Sequence, residues 1–383
     1  MRETTARYPV TSGAARVAAP RWRAGLVTAA VDGVRELYPG YFALVMATGI
    51  CSTALRAVRQ PAASAVLLVL AVVCFAVLLA ALAVRVARHP RLVLRDLTAP
   101  DRAFAFFTVV AAADVLAARV AADAHRGTAI VLAGFAAAVW LGLSYTLPVR
   151  MILGPRPQPV LAGVNGTWFI WVVGTQSLAV GLAALDRPTG GYTRVTALLA
   201  VLMWSVGVVL YLVVATLVLA RLLLLQVRPQ DLTPPYWITM GATAITVLAA
   251  AQPLTMAPAP ALAVTRPVMA GLAVVFWAFG TWLIPLLVTF GLWHHLLHRQ
   301  PPTYHPALWS IVFPLGMYAQ ASMQLGAAAR LPIVEHIGRA GTWVAVTVWL
   351  VVFVGMCLTL TRTAWRHLHP PPAATAPADR QPT

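Results

Sequence analysis

Asp114 stands in the middle of a long run of Val, Ala and Leu, and it is the sole acid of the chain so placed. A carboxyl in such surroundings is expensive to charge and defaults to a functional reading. Two chemistries are open to it. It can hold a proton much of the time and exchange it, or it can pair with Arg119 or hydrogen-bond to small neighbours as a structural group. His294, His295, His298 and His305 form the other conspicuous cluster, with His294 and His298 one turn apart on a helix. No acid or Cys lies nearby to complete a metal site, so these residues are expected to anchor an interface beside Trp293, and no metal is expected. No G-x-S-x-G elbow stands out and there is no Walker-type loop. The expectation is a protein without catalytic residues or a cofactor, and not an enzyme.

The elements that must position Asp114 follow from composition. Hydrophobic residues make up 60% of the 383 and charged ones 10%, against roughly 45–50% and about 25% in soluble domains. Such a chain cannot cover a water-facing surface, and the lipid bilayer is its expected surroundings. All 28 basic residues are Arg, and the net charge is +17. Because they lie between apolar runs, they read as markers of membrane orientation, and no nucleic-acid partner is expected. Cys51, Cys74 and Cys357 fall inside apolar runs, an odd number without metal-ligand spacing. The segment before Tyr38 has no hydrophobic signal core, so no cleavable signal peptide is expected.

With about 20 apolar residues needed to span the hydrocarbon core, the chain reads as an all-α integral membrane protein of ten transmembrane helices. They lie near 39–57, 64–84, 103–121, 128–151, 165–184, 195–220, 235–254, 268–293, 307–328 and 340–361. Residues 1–37 form a basic cytoplasmic segment, partly disordered; 38–362 form the membrane domain; 363–383 form a disordered cytoplasmic tail. Nineteen arginines fall on the side of the termini and nine on the other. That bias puts both termini in the cytoplasm and the chain in the cytoplasmic membrane, crossing it many times.

A helix-pair repeat runs through the sequence. Odd spans open with Tyr41-Phe42, Phe106-Phe107, Trp168-Phe169 and Tyr236-Trp237, and the ninth with Trp309-Ser310. Six residues beyond the second member lie Thr48, Ala113, Thr175, Thr243 and Gly316, and seven beyond lie Gly49, Asp114, Gln176, Ala244 and Met317. Even spans are plain Leu, Val and Ala, as a lipid-facing helix requires. The expectation is five helical hairpins whose odd helices enclose an axial path, with the small and hydroxyl residues lining it.

The run Tyr38–Ile50 (YPGYFALVMATGI) resembles the opening of the tellurite-resistance/dicarboxylate transporter family, related to the slow-type anion channels. So do Trp168–Gln176 (WFIWVVGTQ), Pro235–Ala242 (PYWITMGA) and Val312–Tyr318 (VFPLGMY). The resemblance covers about Tyr38 to Leu360. It implies a central pore lined by the odd helices, a homotrimer, and small anions as substrates, first C4-dicarboxylates such as malate. Sulfite, chloride, nitrate and tellurite-related oxyanions are alternatives, and a non-conducting receptor or scaffold is the reading of another class, since the basic N-terminus could bind a partner.

The family's pore-plugging phenylalanine matches Phe313. The adjacent Pro314 removes a backbone hydrogen bond and kinks the helix, which can turn the ring inward. Phe42 and Tyr318 are the alternative gates, and Phe107 and Phe169 are expected to line the pore with Phe42. Backbone groups freed near Pro39, Pro234, Pro235 and Pro314 and near Gly40, Gly166, Gly241 and Gly316 could attract an anion without a buried cation. Arg102 and Arg119 bracket the third span as charges at the pore mouths. Asp114, at the lining level, would then carry a proton with the anion or serve structure alone.

Overall fold

The computed structural model describes residues 31–154, 159–186, 193–228, 231–256, 258–292 and 304–368. These form helices joined by short turns, with no strand among them. The helices are α1 (Ala43–Ala57), α2 (Pro61–Arg88), a short α3 (Pro90–Thr98), α4 (Phe107–Ala122), α5 (Arg126–Leu153), α6 (Phe169–Leu185), α7 (Thr193–Leu224), α8 (Ile238–Leu254), α9 (Pro260–Leu292), α10 (Trp309–Ala328) and α11 (Pro332–Leu368).

Five of them, α1, α4, α6, α8 and α10, form a closed ring in which each touches the next and α10 returns to α1. Each ring helix also packs on the long helix that follows it in sequence. The outer helices cover the ring. The spans containing α1, α4, α6 and α8 are 72–89% buried, and those of the outer helices 11–39%. Outer surfaces carry Val69, Val73, Leu212, Leu223 and Val351 in the open, an arrangement suited to lipid rather than water.

Among the described residues, nine helices are long and apolar enough to cross a membrane. The expected ninth span, α10, falls outside that set. It is 20 residues long and largely buried, and it carries Ser310, Gln320, Ser322 and Gln324. Enclosed by other helices, it has no lipid to satisfy. Outer helices also run longer than expected. α9 begins at Pro260 rather than near 268, and α11 runs from Pro332 to Leu368 rather than over 340–361. Proline is well tolerated at a first helical position, so Pro260 and Pro332 start these helices rather than interrupt them. The start of the expected tail, to Leu368, is therefore helical. Residues 1–30, Trp293, His294, His295, His298 and most of the tail lie outside the described residues.

Each ring helix enters through a single 3-10 turn: Pro39–Phe42, Ala103–Phe106, Gly166–Trp168, Pro234–Trp237 and Pro306–Leu308. The aromatic pairs of the repeat sit at these junctions. At the far end, α1, α4 and α10 turn sharply into the next helix through Arg59, Ala124 and Arg330, all with positive φ. The bonds Gln60 N–H to Leu55 O, His125 N–H to Val120 O and Leu331 N–H to Gly326 O close these turns, as in a Schellman cap.

Candidate functional site: an axial path through the ring

Two cavities lie on the axis of the ring, and all five ring helices line both. The upper one, at the 3-10 entries, is bounded by Gly40, Ala43, Met46, Thr108, Thr167, Ile170, Pro235, Ile238, Ala307, Ser310 and Phe313, with Tyr38 at its edge. The lower one is bounded by Ile50, Thr53, Asp114, Val115, Ala118, Ser177, Val180, Ile245, Leu248, Gln252, Met317 and Gln320. Each leaves about 30 Å³ open to water, room for about two water molecules. Of the residues bounding the upper cavity, Met46 and Phe313 lie deepest along their helices. Phe313 is 1% exposed.

The lining obeys the repeat. Count from Phe42, Phe107, Phe169, Trp237 and Trp309. One place on are Ala43, Thr108, Ile170, Ile238 and Ser310, all in the upper cavity. Eight places on are Ile50, Val115, Ser177, Ile245 and Met317, and eleven on are Thr53, Ala118, Val180, Leu248 and Gln320, all in the lower. Between them, four places on, come Met46, Ala111, Val173, Gly241 and Phe313. Only one of these five is aromatic. The fifth repeat is thus anchored on Trp309 rather than on Ser310.

This register corrects the expected lining. Six places on is two residues from the axial level, a rotation of about 200° on an α-helix, so the hydroxyl level faces outward. Thr48 Oγ1 receives the indole N–H of Trp349 on α11 (3.0 Å), and Thr175 Oγ1 that of Trp140 on α5 (2.8 Å). Thr243 lies against Gly280 of α9. Gln176 donates to Trp204 O on α7 (3.3 Å) and to Thr246 Oγ1 (3.2 Å). Gly49 and Gly316 serve contact within the ring, where an added Cβ would come to 2.7 Å from Val115 and 2.8 Å from Ile50 respectively. None of these six residues bounds either cavity.

The aromatic candidates separate in the same way. Phe42 packs edge-on to Phe75 of α2, Phe169 tilts against Tyr211 of α7, and Phe107 stacks with Phe104 and Trp171 between α4 and α6. Tyr318 stacks on Trp277 of α9 and shares a hydrogen bond with Thr281 (2.7 Å). Phe313 alone of the five reaches the axial cavities. Beside it, Pro314 fits over Gly241, where an added Cβ would stand 2.9 Å from the proline ring.

Arg119 is not at a mouth. It is 2% exposed and donates to Ser52 Oγ (3.1 Å), Ser64 Oγ (2.9 Å) and Asp123 (2.6 Å), joining α1, α2 and α4. It therefore does not pair with Asp114. Arg102 does stand near the upper cavity, over the Tyr38 ring at 5.2 Å and 3.2 Å from Asp96, which also binds Arg85 (2.7 Å). Burial pushes the Tyr38 hydroxyl up to about 12, against a smaller opposing pull from Arg102, so it stays protonated.

Asp114 is 1% exposed. Its Oδ2 accepts from Ser177 Oγ at 2.8 Å, while Oδ1 has no hydrogen-bond partner among the described residues. Gln252 and Gln320 join it in the lower cavity, two residues outside the sixth and seventh places that the sequence repeat singles out. No group of three or more His, Cys, Asp and Glu among the described residues could hold a metal ion.

A model of the voltage-dependent anion channel family matches residues 36–357. The chain is 57% identical over 157 residues to an uncharacterized membrane protein found in two strains of Mycobacterium tuberculosis, covering 41% of this chain and 80% of that protein. It is 25% identical over 192 residues to an uncharacterized transporter of Methanocaldococcus jannaschii, covering 50% of this chain and 55% of that one. With a match that takes in all five ring helices, the chain belongs to the SLAC1 voltage-dependent anion channel family, a family of membrane anion channels and transporters.

Proposed function

We propose that this protein moves small anions through the axis of the five-helix ring, and that Phe313, set by Pro314, closes the path between the two cavities. The observation that carries the proposal is the register: both cavities are bounded by equivalent positions on all five ring helices, and the level between them holds a single aromatic ring. An apolar constriction of that kind blocks ions by dewetting. The five entry turns direct helix N-termini at the upper cavity, and none of the ring helices has an acidic residue in its first turn. Their summed dipoles favour a negative ion there.

With α10 counted as a span, the chain crosses the membrane ten times in five hairpins. Both termini then lie on the cytoplasmic side of the cell membrane, as the arginine bias favours. A reporter that is active only outside the cytoplasm, fused after residue 361, is expected to stay inactive; activity there would reverse the topology. Assembly as a homotrimer follows the family resemblance and is read by the mass of the detergent-solubilised protein.

For the substrate, the resemblance points to C4-dicarboxylates such as malate. A second reading, compact inorganic anions such as chloride or nitrate, is favoured by the size of the cavities, each with room for about two waters. Flux into proteoliposomes of malate, sulfite, chloride and nitrate in turn separates the two. Malate alone supports the first reading and chloride or nitrate the second; no flux of any anion would leave a receptor or scaffold.

A further inference from the structure

We infer that the lower axial cavity is a proton-linked anion station, where the protonated carboxyl of Asp114 and the side-chain amides of Gln252 and Gln320 together hold one small anion. The inference rests on reading the axis as an anion path. Three residues that bound this cavity each carry a buried oxygen without a hydrogen-bond partner among the described residues: Asp114 Oδ1, which lies toward Gly181 of α6, Gln252 Oε1 and Gln320 Oε1. Asp114 and Gln320 are 1% and 4% exposed. Buried polar atoms almost always find partners, and each exception calls for an explanation.

The remaining lining rules out a counter-charge. α1 contributes Ile50 and Thr53, α6 Ser177 and Val180, α8 Ile245 and Leu248, and α10 Met317, none of them ionisable; α4 adds only Val115 and Ala118. The nearest cation along α4, Arg119, is spent on Ser52, Ser64 and Asp123, and Arg56 of α1 on Asp123 and Ala122. A bare carboxylate in such a place costs several kcal/mol, and a proton removes that cost.

Protonation changes what the cavity recognises. The neutral carboxyl gains an O–H donor. A glutamine amide turned end for end keeps its shape and presents NH₂ in place of oxygen. The cavity then offers an anion three donors and no fixed negative charge. Without the proton it offers a carboxylate, which repels the same anion. Anion and proton therefore occupy the station together, on the far side of Phe313 from the upper cavity.

The test uses chloride as the probe on full-length protein purified in detergent, in weak buffer with a pH dye, alongside calorimetric binding. Over a pH series, the wild type should take up no proton where the free carboxyl is already protonated, and up to one proton per chloride bound, with affinity falling as pH rises, above its titration. Asp114→Asn, which keeps shape and hydrogen bonding, should bind chloride without proton uptake and without pH dependence. Gln320→Met and Gln252→Met should each weaken binding about tenfold, the loss of one hydrogen bond, and retain the uptake. Uptake persisting in Asp114→Asn, pH-independent binding by the wild type, or no chloride bound would overturn the station. Vesicle flux judges the path separately: a protein that binds chloride with a proton but passes no anion keeps the station and loses the transport reading, and uncoupled flux does the reverse.

Discussion

Trp349 on the last long helix donates its indole N–H to Thr48 on the first ring helix, 3.0 Å across 301 positions of sequence. Trp140 to Thr175 and Trp277 to Ser322 repeat the device, each an outer helix bonded to a hydroxyl on a ring helix (both 2.8 Å). The ring is held at its circumference by these bonds, which leaves its axis free for residues chosen on other grounds. Trp349→Phe keeps the stacking on Phe353 and removes the bond. It should cost about 1–2 kcal/mol of stability, read as a lower melting temperature in detergent, with flux per folded molecule unchanged. A loss of flux without a loss of stability would place Thr48 on the path after all.

Arg119 offers a sharper contrast between bracing and conduction. If it steered anions at a mouth, Arg119→Met would slow transport in a salt-dependent way. As a brace to Ser52, Ser64 and Asp123, its loss should instead lower thermal stability by about 2 kcal/mol and leave the salt dependence of flux as it was. Stability equal to wild type with reduced flux at low salt would restore the mouth assignment.

Ala124 holds φ at 66° where α4 turns into α5, a conformation that costs a residue with a Cβ about 1 kcal/mol relative to glycine. Ala124→Gly should therefore raise stability by about that amount, measured by thermal or denaturant unfolding. A destabilised variant would mean that the turn is not strained.

Much of this organisation is legible in the sequence, and the parts that are not have a common cause. The all-helical class, the order of apolar helices and the division into inner and outer helices follow from apolar length and the aromatic pairs. Which way each ring helix faces does not follow. Small residues mark close approach, and close approach occurs on the flank of a helix as readily as at a pore, so Thr48, Thr175 and Thr243 read as lining when they meet the outer helices. The lining of the lower cavity at the eighth and eleventh places mixes Ile, Val, Leu, Met, Ala, Ser, Thr and Gln. That mixture has no compositional signature and becomes visible only once the ring is closed. Arg119 reads as a mouth charge for the same reason: its partners Ser52 and Ser64 lie 67 and 55 positions away in sequence.

The measurement that bears most directly on the axial path is anion flux into proteoliposomes for wild type and Phe313→Ala, with folding checked by monodisperse elution and a melting curve. Removing the ring should raise flux at least about tenfold, equivalent to ~1.4 kcal/mol off the barrier, at a packing cost of about 3 kcal/mol. Phe42→Ala, Phe169→Ala and Tyr318→Ala should destabilise without opening. A folded Phe313→Ala that conducts no faster than wild type would contradict the account.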